Sequence, residues 1–414
     1  MQERGESQSN DTPIEAVRLS GAEHTAPARA VRIGWLETQP EMNRQGGVMA
    51  ARVVISADSH TERFLDLSEY IEPKHRPTME TLNKRDEERL QKILANMRAR
   101  GQETSYSGRK NTMEEFRITV DLGDRMEAIT EDGVCAEVVI ERGGSRSTDI
   151  EFVRACNKAY YRWFAEHFAG EAYRFIGVAA ITIADMDVAV AELREAHDLG
   201  FRALILPGSH YWFPGALPFH DRSYDPLWAE VQEMGMPVLF HPGFGRENPI
   251  LEADPDSQVF KYGPLTTLEL RGALKHFLLG GIAERFPTLN FGWVESGSLW
   301  VPPLLDEYDA LVKRRPGGQS QELLPSELFA RQGFCAGPLT QSEVDARHRL
   351  GVDNLMFGTD YPHPEGTYPH TQSMIDEMFE GVSEEETEKI LATNAARVFN
   401  LDIERLAFQP ASVS

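Results

Sequence analysis

The chain has 414 residues, with 42 Lys and Arg against 65 Asp and Glu, for a formal net charge of −23. That charge repels phosphate backbones and anionic membrane surfaces, so nucleic acid and membranes are not expected partners and a small-molecule substrate is. Three widely spaced cysteines, Cys135, Cys156 and Cys335, argue against a disulfide framework or a cysteine-based zinc site and for a reducing compartment.

The opening MQERGESQSNDTP is acidic and polar where a secretory signal is basic and then apolar. No segment reaches the roughly 18 to 20 uninterrupted apolar residues of a membrane span. A cytoplasmic protein is expected. Residues 1–48 lack periodicity and are rich in Glu, Gln, Ser, Gly and Pro, which predicts a mobile tail; Met49 offers an alternative translation start. From residue 49 to 405 short apolar runs alternate with amphipathic stretches, the pattern of a parallel α/β domain. Eight runs read as strands: VVISAD (53–58), VCAEVVI (134–140), FIGVAAI (175–181), ALILP (203–207), PVLFH (237–241), LNFGWVE (289–295), GFC (333–335) and LMFGTD (355–360). Eight strands predict a (β/α)8 TIM barrel.

The connection from Ser59 to Gly133 is far longer than a βα loop and one helix, so residues 61–133 are expected to hold an insertion. Within it RDEERLQKILANMRAR places Leu90, Ile93, Leu94 and Met97 on one helical face, and this segment is expected to act as a lid, with Trp212 and Phe213 helping to wall the pocket. MDVAVAELREAHDLG and YDPLWAEVQEMG read as barrel helices, SEEETEKILATNAARVFNL as the closing one, and 406–414 as a tail.

In such a barrel the chemistry sits at the carboxyl ends of the strands. Strand one ends in Asp58-Ser59-His60, strand five in His241-Pro242-Gly243, strand six in Glu295-Ser296-Gly297 and strand eight in Asp360-Tyr361-Pro362-His363. Two imidazoles and two carboxylates on one rim suit one divalent ion, with zinc the first expectation and manganese, iron or cobalt the others. Asp58 and His60 share a side because strand side chains alternate with a period of two. An ion would also explain why an apolar run ends on a carboxylate, since it offsets the desolvation of Asp360. Asp58, His60, His241 and Asp360 are the candidate metal ligands, Glu295 reads either as a further ligand or as a group that orients one, His363 as a substrate contact or a rim residue, and Asp360, Glu295 and His363 are the candidate catalytic groups. His210, His220 and His276 read as solvated or structural.

These residues stand in stretches that resemble the amidohydrolase-related metal-dependent TIM barrels, the family that includes aminocarboxymuconate semialdehyde decarboxylase and the resorcylate-type decarboxylases. The matching stretches are ADSH, RFIGVAAI, YDPLWAEVQEMGMPVLFHPG, GGIAERFPTLNFGWVESGSLWVP, GVDNLMFGTDYPHPEGTYP and ILATNAARVFNL. The resemblance implies that Asp58, His60, His241 and Asp360 bind the metal, that Asp360 also handles protons, and that a homodimer can form; Trp300 and Pro302 lie either near its contact or packed within the chain. It departs at two places: Asp58 stands where the decarboxylases carry His or Glu, and Glu295 where they typically carry a histidine. The leading expectation is therefore hydrolysis by a metal-activated water, and the alternative is non-oxidative decarboxylation of an aromatic or unsaturated acid. No Gly-x-Ser-x-Gly elbow for a nucleophilic serine is present.

Overall fold

The computed structural model describes residues 52–61, 65–99, 122–141, 149–213, 215–243, 264–314, 322–363 and 365–407, with single positions at 101, 104, 112 and 147. The tail expected over residues 1–48, much of the insertion, the Trp212 side chain and residues 408–414 lie outside the described residues.

Eight parallel strands follow one another in chain order. They are β1 (Ile55–His60), β2 (Ala136–Ile140), β3 (Phe175–Ala180), β4 (Ala203–Leu206), β5 (Val238–Phe240), β6 (Phe291–Val294), β7 (Gly333–Gly337) and β8 (Leu355–Phe357). The seam between β8 and β1 is stitched just beyond the end of β8. The Asp360 N–H donates to the Asp58 carbonyl (2.8 Å), and the His60 N–H donates to the Tyr361 carbonyl (2.6 Å). This is the (β/α)8 barrel expected from the count of apolar runs.

Period-two alternation divides each strand between two cores. On β5, Leu239 joins an inner cluster while Val238 and Phe240 pack outward; on β8, Met356 points in while Leu355 and Phe357 point out. The outward residues meet the surrounding helices, among them Ile150–Phe168, Met186–Asp198, Asp225–Glu233 and Pro264–Leu278. The helix Ile150–Phe168 begins where Asp149 accepts the backbone N–H groups of Glu151 and Phe152, an N-cap that satisfies two otherwise orphaned donors. At the amino end of the barrel, Ala392, Ala395, Ala396 and Phe399 of the closing segment join the inner cluster. The Asn394 side-chain amide there donates to the carbonyls of Val352 and Leu355. One end is thus plugged, leaving the carboxyl ends of the strands as the mouth.

The insertion helix runs from Arg76 to Ala99, starting earlier than the Leu90-to-Met97 stripe alone suggests. Leu90 and Leu94 are buried with Met97 in a small cluster of their own. Among the described residues no helix is long and apolar enough to cross a membrane.

Candidate metal centre

Strict alternation does not by itself deliver the site. Ile55 and Ala57 already face the inner cluster, so an undisturbed strand would send Asp58 outward. Instead the β1–β2 register slips between Ser56 and Ser59, a bulge that resets the phase and turns both Asp58 and His60 inward. Gly358 makes room for this: a Cβ there would lie 2.5 Å from the Asp58 Cβ. Below the site, Ser56 Oγ donates to the Asp58 carbonyl (2.7 Å) and accepts the Thr359 N–H (2.9 Å), fixing β8 to the bulge.

His241 follows β5 in the inward phase of Leu239 and needs no such device. Glu295 is different. Val294 faces inward, so Glu295 would point out, but its φ of 53° folds the chain back and brings Oε2 to 2.9 Å from His241 Nε2. Asp360 also has positive φ, 56°. A left-handed backbone at a non-glycine residue is costly and recurs where function holds it in place.

The six predicted side chains meet at one rim. Asp58 Oδ1 lies 3.5 Å from His60 Nε2 and 3.6 Å from His241 Nε2. Asp360 Oδ1 is 3.2 Å from His60 Nε2 and 2.8 Å from His363 Nδ1. The His363 ring stacks on His60 at 4.2 Å. Both inner imidazoles are oriented from behind: His60 Nδ1 faces the Ile140 carbonyl (3.2 Å) and His241 Nδ1 the Pro242 carbonyl (2.6 Å). With Nδ1–H donating to a carbonyl, Nε2 is the nitrogen turned to the centre, the arrangement that prepares a histidine for a metal.

The charges are held in tension. Burial would raise Asp58, but the adjoining His241 and His60 outweigh it and keep the carboxyl well below its ordinary range. Burial pulls His60 down, yet Asp360 and Asp58 push it up to about 10. His241 rises to about 9 against burial because of Glu295 and Asp58. Asp360 is pushed up to about 6, by burial and by the charge of Asp58, against the opposing pull of the two histidines.

A divalent ion fits this donor set. Both carboxylate oxygens of Asp58, both of Asp360 and the Nε2 of His60 are buried without a hydrogen bond. Such atoms are expensive to bury unless something pairs with them. Among the described residues two groups of ligand-competent atoms occur, Asp58, His60 and His241 in one and His60, Glu295, Asp360 and His363 in the other, so His60 belongs to both.

One contributor escaped the sequence reading. Arg125 is fully buried and its guanidinium donates to Glu137 Oε2 (2.8 Å), the His60 carbonyl (2.6 Å) and Ser59 Oγ (3.2 Å), with the Tyr361 ring 5.1 Å away. It therefore grips the ends of both β1 and the β8 turn. The available signal was Glu137, a lone charge inside the apolar strand Ala136–Ile140, which had to have a buried partner. Trp300 packs edge-on to Trp293 and its indole N–H points at the carbonyls of Ser296 and Gly297, contacts within the chain. Of the histidines read as solvated or structural, His210 and His276 are buried and His220 is exposed.

The sequence model of the amidohydrolase family matches residues 116–401, and the chain belongs to that family. It is 27% identical over 273 residues to a gamma-resorcylate decarboxylase from Rhizobium sp. strain MTP-10005, covering 62% of this chain and 78% of that one. Among solved structures, an amidohydrolase from Mycobacterium avium subsp. paratuberculosis K-10 shares the fold with a TM-score of 0.65, at 20% identity over 85% of this chain and 99% of the other. The 5-carboxyvanillate decarboxylase from Novosphingobium aromaticivorans, complexed with manganese and 4-hydroxy-3-methoxy-5-nitrobenzoic acid, does so with a TM-score of 0.62, at 18% identity over 88% of this chain and 100% of that one.

These relationships correct the leading expectation of hydrolysis. The sequence relatives are named decarboxylases, including one from Rhodococcus jostii strain RHA1 at 28% identity. The inference to hydrolysis rested on Glu295 replacing a histidine. That single exchange does not decide the reaction, because the four candidate ligands and a buried acid are all still present.

Proposed function

We propose that this protein is a metal-dependent, non-oxidative decarboxylase of a small aromatic acid bearing a hydroxyl next to its carboxylate. The observation that carries the reading is the convergence of Asp58, His60, His241 and Asp360 at one mouth, in a chain whose sequence relatives are decarboxylases. Asp58, His60, His241 and Asp360 would hold the ion. Zinc and manganese both suit imidazole with carboxylate, and manganese is bound by the carboxyvanillate decarboxylase that shares the fold.

A divalent ion held there supplies positive charge to the carboxylate of the substrate and the oxygen beside it. Asp360, a carboxyl buried at the rim, is the group that would deliver a proton to the ring carbon bearing the carboxylate. The bond from that carbon to the carboxylate then breaks, its electron pair returns to the ring, and CO2 leaves. His363, 2.8 Å from Asp360, relays a proton from solvent to restore the acid. Glu295 buttresses His241 from the side. A homodimer, as the resemblance implies, in the cytoplasm, as the composition suggests, is the expected setting.

The test is to load purified protein with manganese and supply a panel of 2-hydroxybenzoates in D2O. The expected result is CO2 and a phenol carrying one deuterium at the vacated carbon. A product that takes up oxygen-18 from water and releases no CO2 would overturn the reading.

A further inference from the structure

The turn after β6, which carries Glu295, is tied to the turn after β7 by one buried carboxylate, that of Glu343. Glu343 sits in the short helix Gln341–Asp345, where its Oε2 accepts the N–H (2.9 Å) and the hydroxyl (2.8 Å) of Thr340 while its own N–H donates to Thr340 Oγ1 (3.4 Å). That half is a capping box and is local. The other half is not. Oε1 reaches a turn 45 residues away in sequence and accepts the N–H (2.7 Å) and the hydroxyl (2.9 Å) of Ser298.

These four donors fill the lone-pair sites of the carboxylate, and all are neutral. Among the described residues no Lys or Arg pairs with Glu343. A capping box works with an exposed glutamate, so capping alone does not account for burying this anion. What Oε1 holds is a strained turn. Three residues before Ser298, Glu295 has a φ of 53° and its N–H donates to the Ala336 carbonyl (3.0 Å). The end of β7 closes tightly on it: a Cβ on Gly337 would lie 3.1 Å from Glu295 N and 3.4 Å from Asp58 Oδ2. A left-handed glutamate persists when its surroundings over-determine it, and the clasp on Ser298 is the side-chain contact that does so from the β7 side.

We propose, from the metal centre described above and independently of the reaction assigned to it, that Glu343 is a positioning residue. By clasping Ser298 it holds the β6 turn in the shape that keeps Glu295 Oε2 2.9 Å from His241 Nε2. Its influence on the ion passes through Glu295, so it should vanish when the Glu295 carboxylate is removed.

The experiment is a double-mutant cycle on metal-stripped, full-length protein, read by Mn2+ affinity, with urea unfolding of each metal-free variant as the check on the fold. An amide at position 343 accepts from one turn only and turns an NH2 group toward donors. Glu343→Gln should therefore weaken Mn2+ binding by about tenfold, the lower end of what loss of a supporting partner costs a metal site. In a Glu295→Gln background the same substitution should add nothing. Ser298→Ala, which removes one donor and keeps the backbone bond, should act in the same way to a smaller degree, and it decides the matter if Glu343→Gln does not fold. Thr340→Ala, which breaks the cap, should lower the urea midpoint and leave Mn2+ affinity unchanged. A metal-free crystal structure of Glu343→Gln should show Glu295 withdrawn from His241, a readout that stands whether or not the wild type releases CO2. Wild-type Mn2+ affinity in folded Glu343→Gln, an equal loss with and without the Glu295 carboxylate, a loss in Thr340→Ala as large as in Glu343→Gln, or an unchanged Glu295–His241 contact in the variant crystal would overturn the proposal.

Discussion

The seam where β8 meets β1 and the arc formed by β3 and β4 enclose the same barrel with opposite materials. In the seam, Ser56, Asp58, Ser59, Thr359 and Asp360 are all buried, a bulge interrupts the ladder, and Arg125 lies wholly inside. In the arc, Ile176, Val178, Ala203 and Ile205 fill the interior with no polar group between them and a regular register. Apolar packing needs only shape and loses little when altered conservatively, whereas buried charges need every partner in place. Substitutions in the arc should therefore change stability alone, whereas those in the seam should also change the geometry of the candidate ligands.

The largest effect is expected at Asp360. Asp360→Asn should lower decarboxylation by about 10²–10⁴-fold, as loss of a positioned acid does, in a protein that still unfolds cooperatively. Undiminished turnover would remove the seam from the chemistry. Next comes Arg125→Gln, which strands Glu137 in the core; breaking a buried pair of this kind costs about 3–5 kcal/mol. Because Arg125 also grips the His60 carbonyl, affinity for manganese should fall as well, and Arg125→Lys should recover part of it. Denaturant unfolding and a metal titration read the two consequences separately.

Ile205→Ala in the arc should cost about 2–5 kcal/mol of stability and leave manganese affinity unchanged. A change in metal affinity as large as that of the Arg125 variants would erase the distinction between the two regions. The smallest effect concerns Asp132, whose carboxyl burial pushes up to about 6 from 3.8 although Thr371 donates to it. A raised acid contributes stability that is complete below about 3.8 and is lost as pH rises through about 6. Urea midpoints should show that decline in the wild type and a flatter profile in Asp132→Asn.

The arc was the more legible region. Runs such as ALILP and FIGVAAI declare their strands by apolar content. The seam was legible in residue type and much less in direction. Asp58 faces inward through a bulge, and Glu295 through a left-handed backbone, neither of which a period-two reading contains. Arg125 was missed because its partners, from Ser59 to Glu137, are brought together only by the closed barrel. The reaction was misread for a related reason: one exchanged side chain at Glu295 was weighed above the four candidate ligands.

The central claim is that Asp58, His60, His241 and Asp360 hold one divalent ion between them. Titration of metal-stripped protein with Mn2+, followed by electron paramagnetic resonance of the free ion, tests it most directly. The account predicts one tightly bound ion per chain in the wild type and none in Asp58→Ala or His241→Ala. Tight binding that persists in both variants, or no binding by the wild type, would contradict it.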